Sequence, residues 1–205
     1  MPTALSHAAV PLALRVGFGR GAISGRLLAA GVAASMAPDA DVIAFRLGIP
    51  YAADLGHRGF THSLTFAVCL ALVGGLSHRA LRSRFLPAFA FLLAATASHP
   101  VLDALTDGGL GVGLLWPFSS ERFFMPLRPI HVAPLSLKAL VSARGARVIA
   151  SELKWVWLPC SALAALLALQ RQRSEPAPRI SSRRPVVLDP VLLPPRRPVA
   201  PTRPR

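Results

Sequence analysis

The stretch HRGFTHSL, residues 57–64, places His57 and His62 five positions apart around Arg58, and an apolar run to Leu76 follows at once. Further on, SHPVLDALTDGG (98–109) sets His99 and Asp103 four apart. That spacing stacks both side chains on one face of a helix, where they can reach one ion together. APDAD (37–41) supplies Asp39 and Asp41 after another apolar run, and His7 stands at the start of the first apolar segment. Imidazole with carboxylate is the ligand set of Zn, and equally of Mn or Fe. A hydrolytic metal site needs this mixture: ligands for one or two ions, an open position for water, and a carboxylate to take its proton. Arg58, fixed between two histidines, could hold a phosphoryl or other anionic group.

Each piece also has a plainer reading. His99 and Asp103 alone make a neutral hydrogen-bonded pair, with Pro100 sitting awkwardly inside it. Asp39 and Asp41 follow Pro38, and Asp-rich turns are common at helix ends. Thr61 and Ser63 are good N-cap residues, beside which His62 could be a bystander. His78 reads as a surface residue of a basic loop, and His131, in RPIHVAP, has no evident partner. Glu152 stands either at the same mouth as the histidines or in a solvated salt bridge with Lys154 or Arg147. The metal reading therefore depends on whether the intervening elements bring the pieces together.

Those elements are apolar helices. The 205-residue chain is 53% hydrophobic, with a mean hydropathy of +0.49, and its apolar residues gather in blocks. Leu64–Leu76, Phe85–Ala97 and Val156–Leu169 are long and uncharged, and Leu27–Ala37 is shorter. The composition predicts an all-α, polytopic membrane protein of about four to five short transmembrane helices over residues 1–170. Both cysteines, Cys69 and Cys160, read as small buried hydrophobes rather than a disulfide. The net charge of +14 owes much to residues 171–205, where nine of the 23 basic residues lie among prolines with no aromatic residue. This segment is expected to be a disordered tail lying on anionic membrane lipid, and nucleic acid is the less favoured partner.

Orientation follows from the basic loops. HRALRSR (78–84) and the tail belong in the cytoplasm by the positive-inside bias, and alternation then places the remaining ends. A first helix spans about Leu5 to Phe18, and Leu27–Ala37 runs outward to Asp39 and Asp41. The helix from about Ser63 runs inward and Phe85 to about Leu105 returns. His7, Asp39, Asp41, His57, His62, His99 and Asp103 then converge at outer helix ends. Residues 119–154, placed outside, carry six basic residues against that bias. Within them Leu135–Lys154 reads as a basic amphipathic helix on a membrane surface, with Arg144, Arg147, Ser151 and Lys154 at helical spacing.

PDAD, HRGFTHSL, HPVLDALTDGG and GLLWPFS (113–119), in this order after an N-terminal histidine, resemble the YdjM-type family of membrane-bound metal-dependent hydrolases. The resemblance covers roughly residues 5 to 160 and implies a multi-pass inner-membrane hydrolase. A more distant similarity, to the all-helical zinc phospholipase C and P1 nuclease group, implies a phosphoester substrate. Carried over by motif, the metal ligands are His7, Asp39, Asp41, His57, His62, His99 and Asp103, and the catalytic residues Asp39, Arg58 and Asp103. A non-enzymatic membrane protein, with a structural metal or an ion- or proton-handling role, is the competing expectation.

Overall fold

The computed structural model describes residues 1–134 and 137–174. Its helices are α1 (Ala4–His7), α2 (Ala9–Ala22), α3 (Gly25–Met36), α4 (Ile43–Arg46), α5 (Leu64–Leu76), α6 (Phe85–Ala104), α7 (Leu137–Leu140), α8 (Ala143–Glu152) and α9 (Leu158–Ser174). Tight 3-10 turns at Ala37–Val42 and Phe60–His62 follow α3 and precede α5, and a π-turn at Leu153–Trp157 joins α8 to α9. Among the described residues there is no β-strand; two isolated bridges, Thr106 with Ile130 and Val112 with Phe123, pin the loop after α6.

Three helical stretches are long and apolar enough to cross a membrane: Gly25–Arg46, Phe85–Ala104 and Ala143–Ser174. At thirteen residues α5 is shorter, about 20 Å against a hydrocarbon core of about 30 Å. It survives by packing along α6. Their contact is lined by small groups: Ala71 and Ala88 are fully buried, and a methyl group on Gly74 would stand 2.0 Å from Leu92 Cδ1. Close backbone approach over small residues is how helices associate where lipid tails are as apolar as leucine. Ile23, Leu27, Ala34, Phe91 and Leu92 complete the core where α3, α5 and α6 meet. A second cluster, Ala9, Leu102, Ile130 and Val156, joins α2 and the π-turn to the end of α6. Outward-facing Val73, Leu76, Leu86, Leu166 and Leu169 are exposed, as lipid-facing positions are.

At one end of the bundle the turns are tied together. Ser24 caps α3, accepting from Leu27 N–H at 3.1 Å, and its hydroxyl donates to Leu81 O at 2.5 Å. Arg26 donates to Ala80 O at 3.2 Å. Arg171 reaches Gly17 O at 2.9 Å. The basic loop 78–84 therefore sits where expected, between α5 and α6.

Several expectations are corrected. The first helix is two, α1 and α2. Helix α2 breaks at Gly19, whose φ is 82°, so its regular part ends at Phe18 as expected and a short kinked turn carries it to Ala22. Pro11 is accommodated because it falls in the first turn of α2. The amphipathic segment is not one helix. α7 ends at Leu140, Ser142 caps α8 by accepting from Arg144 N–H at 3.2 Å, and α8 continues through the π-turn into α9. Cys69 is exposed, because α5 turns that face away from the core, and Cys160 is half-buried against the second cluster. α9 extends to Ser174, beyond the expected end at residue 170. The disorder expected for the tail beyond Ser174 lies outside the described residues.

Candidate metal centre

α3 and α6 both end at the opposite pole of the bundle, and α5 begins there. The tight turn at Ala37–Val42 swings Asp39 and Asp41 off the end of α3, and the last turns of α6 present His99 and Asp103. His62 arrives on the turn before α5, whose start is capped by Ser63, accepting from Phe66 N–H at 3.0 Å. The hydroxyl of Thr61, the other cap candidate, donates instead to Asp41 Oδ2 at 2.6 Å.

Asp39, His62, His99 and Asp103 bring four ligand atoms within 4.8 Å of one another. His62 Nε2 lies 3.0 Å from His99 Nε2 and 3.3 Å from Asp103 Oδ2, and His99 Nε2 lies 3.3 Å from Asp39 Oδ1. His7 closes the far side. Its ring stacks on His99 with centroids 3.7 Å apart, and its Nε2 is 3.8 Å from Asp39 Oδ2 and 3.7 Å from Asp103 Oδ1. His7, His62, His99 and Asp103 are wholly buried; only Asp39 keeps a side-chain exposure of 11%.

Supporting contacts fix the directions. Ser35 O accepts from His99 Nδ1 at 2.7 Å, which leaves Nε2 as the free lone pair. Asp41 does not join the four-residue group. It stands behind His62, 3.2 Å from Nδ1, and also holds His57 Nδ1 at 2.5 Å and Arg58 N–H at 3.0 Å. His57 is thus placed behind Asp41. Burial disfavours a charged His62, but Asp103 and Asp41 outweigh it and raise its pKa above the ordinary value.

Arg58 turns inward. Its φ of 63° puts it in the left-handed region, costly for a side chain with a Cβ. Neighbouring Gly59 lies so close to Asp54 O that a Cβ would approach to 2.0 Å. The buried guanidinium has Nε 3.0 Å from Asp103 Oδ2, and donates to Gly108 O at 2.9 Å and Thr106 Oγ1 at 3.2 Å. Both terminal nitrogens are thus hydrogen-bonded, while Nε meets Asp103 as an ion-pair contact without a hydrogen bond.

Does the donor set fit a metal? Among the described residues, neither His7 nitrogen and none of the four oxygens of Asp39 and Asp103 makes a hydrogen bond. Arg58 already faces Asp103, but among the described residues Asp39 has no Lys or Arg partner, and buried carboxylates are costly where their charge is not compensated. Three imidazoles converge on them, His7 with both ring nitrogens unpartnered and His62 and His99 with their Nε2 atoms turned toward each other, so the residues fit a divalent ion.

Two residues with no assigned role also find partners. His131 Nδ1 is 2.7 Å from Asp107 Oδ2. Glu152 is buried and pairs with neither Lys154 nor Arg147. It accepts from Thr3 N–H at 2.5 Å, the Thr3 hydroxyl at 2.6 Å and the Ser6 hydroxyl at 2.7 Å, clasping α1, and so His7, to the start of the π-turn. Glu152→Ala should lower stability by about 1–3 kcal/mol, because buried donors lose their acceptor. Thermal unfolding in detergent would show it, and an unshifted midpoint would contradict the clasp.

The YdjM inner membrane protein family model matches residues 1–175. Inner membrane protein YbcI of Escherichia coli (strain K12) is 46% identical over 173 residues, covering 84% of this chain and 100% of that protein. No solved structure matches the chain.

Proposed function

The chain belongs to the YdjM inner membrane protein family, and from that premise we propose that it is an integral membrane metal-dependent hydrolase acting on a phosphoester. The observation that carries this reading is the set of orphaned, buried carboxylate oxygens facing three imidazoles. Zn is the first candidate because imidazole with carboxylate is its usual ligand set, with Mn and Fe as alternatives. A bound ion would polarise a phosphoryl oxygen and acidify water. His62, His99 and Asp103 would hold it, with His7 on the far side of the same carboxylates, an arrangement that suits one ion or two. Asp39, the one partly exposed member, is the proton acceptor in this reading. Arg58, buried against Asp103, Gly108 O and Thr106 Oγ1, orients Asp103 in this reading.

Complete burial of His62, His99 and Asp103 favours a second reading, a closed structural site without turnover. Metal analysis of the detergent-purified full chain, paired with hydrolysis of bis(p-nitrophenyl) phosphate with and without chelator, separates the two. Bound metal with chelator-sensitive turnover supports the hydrolase, bound metal without turnover the structural site, and absence of metal removes both.

The metal centre is proposed to face outward and the tail inward, on anionic lipid. Arg20, Arg26, Arg79, Arg82, Arg84, Arg171 and Arg173 gather at the opposite pole, which the positive-inside bias assigns to the cytoplasm. Reporters inserted in loop 78–84 or fused after Ser174 should read as cytoplasmic, and one near Gly108 as external. A cytoplasmic signal at Gly108 would reverse the orientation.

A further inference from the structure

Beside the metal centre lies a cleft of about 430 Å³, lined by Asp107, His131, Val132, Arg144, Arg147 and Val148. Arg144 and Arg147 are three apart on α8 and so share a face. Among the described residues neither guanidinium has an acidic partner. The one acid in the wall, Asp107, is engaged elsewhere: Oδ2 with His131 Nδ1 and Oδ1 accepting Val132 N–H at 2.9 Å. Slight burial pushes its pKa up, but those two donors outweigh it and hold the carboxyl below its ordinary range.

We propose that this cleft is a phosphoryl-binding site in which Arg144 and Arg147 hold the anion and His131, oriented by Asp107, supplies a further contact. Two guanidiniums at helical spacing match the several oxygens of a phosphoryl group better than a single carboxylate. The site adjoins the candidate centre. Val132 also lines a smaller cavity with Tyr51, His57 and Arg58, and Asp107 lies in the bend just after α6, four residues beyond Asp103. Membrane depth is consistent as well. The continuous helix Ala143–Ser174 has 32 residues, about 48 Å, against a hydrocarbon core of about 30 Å. Its excess length, with two arginines in the first turns, belongs among lipid headgroups. As a substrate-holding site it rests on the hydrolase reading, and would select substrates carrying a phosphoryl group on either a lipid headgroup or a soluble ester.

The test uses the full chain in detergent, titrated at low salt with inorganic phosphate and with short-chain phosphatidylglycerol against phosphatidylcholine. R144Q/R147Q should weaken binding of the phosphoryl ligand by about tenfold or more, with metal content unchanged, and H131Q by a smaller factor. A loss confined to phosphatidylglycerol supports the site with a lipid headgroup as its ligand. A loss that includes inorganic phosphate supports it with a soluble ester. Equal affinities in parent and double variant, or no binding of either ligand, overturn it. The hydrolase reading fails separately: protein without metal that still binds phosphate through Arg144 and Arg147 would refute the reaction and leave this site standing.

Discussion

Asp103→Ala protein will leave the detergent column without its metal. Asp103 faces both halves of the centre, 3.3 Å from His62 Nε2 and 3.7 Å from His7 Nε2. Its loss removes a ligand atom and half of the negative charge that makes a cation welcome between buried imidazoles. The loss in affinity should exceed the roughly 10–100-fold typical of residues that only orient a ligand. Asp41→Ala supplies that smaller figure internally, since Asp41 touches the centre through His62 Nδ1. Asp103→Asn, which keeps shape and loses charge, should bind metal as poorly as Asp103→Ala if charge is what matters. His62→Ala and Asp103→Ala combined should lose little more than either alone, because members of one network are not additive. Metal analysis across this series decides the matter; full occupancy in Asp103→Ala would falsify the centre.

Arg58→Ala carries the second large effect, on stability. Its guanidinium and the Asp103 carboxylate are both buried, with Nε 3.0 Å from Oδ2. Breaking a buried pair from one side leaves an uncompensated charge and costs about 3–5 kcal/mol. Two further acceptors, Gly108 O and Thr106 Oγ1, lose their donor at the same time. Unfolding in detergent should therefore shift strongly for Arg58→Ala. Arg58→Lys should recover part of the loss, restoring charge without the fork of donors. The double variant Arg58→Met with Asp103→Leu should be more stable than Arg58→Ala, because no orphaned charge remains. A wild-type midpoint for Arg58→Ala would return Arg58 to the role of a free anion holder.

Much of this arrangement was legible from residue order alone. Helix alternation brought residues 39, 62, 99 and 103 to one pole because each lies within a turn or two of an apolar block's end, and a helix end is a well-defined place. His99 with Asp103 was legible for the same reason: spacing inside a helix sets direction. Residues 47–63 are mostly irregular, and spacing there sets no direction. His57 was thus indistinguishable in sequence from His62, and the tight turn 37–42 sets Asp39 and Asp41 two apart with nothing in the sequence to say which one faces the centre. The inward turn of Arg58 depends on its left-handed backbone and on the closeness of Gly59 to Asp54, neither of which leaves a periodic trace. Ser35 contributes through its carbonyl, which no side-chain pattern announces. Glu152 misled because Arg147 and Lys154 are near in sequence, whereas its partners Thr3 and Ser6 are 149 and 146 positions away.

That clasp has a consequence in time. A chain emerging from the ribosome offers His7 long before Glu152, so the clasp between α1 and the start of the π-turn closes only once α8 has been made. A nascent chain stalled after α6 would already possess His62, His99, Asp39 and Asp103, while its leading segment, packed on α3 and α6, still lacked the tie to Glu152. The last tie on the centre is thereby a late event in biogenesis, and it fastens one of the segments translated earliest.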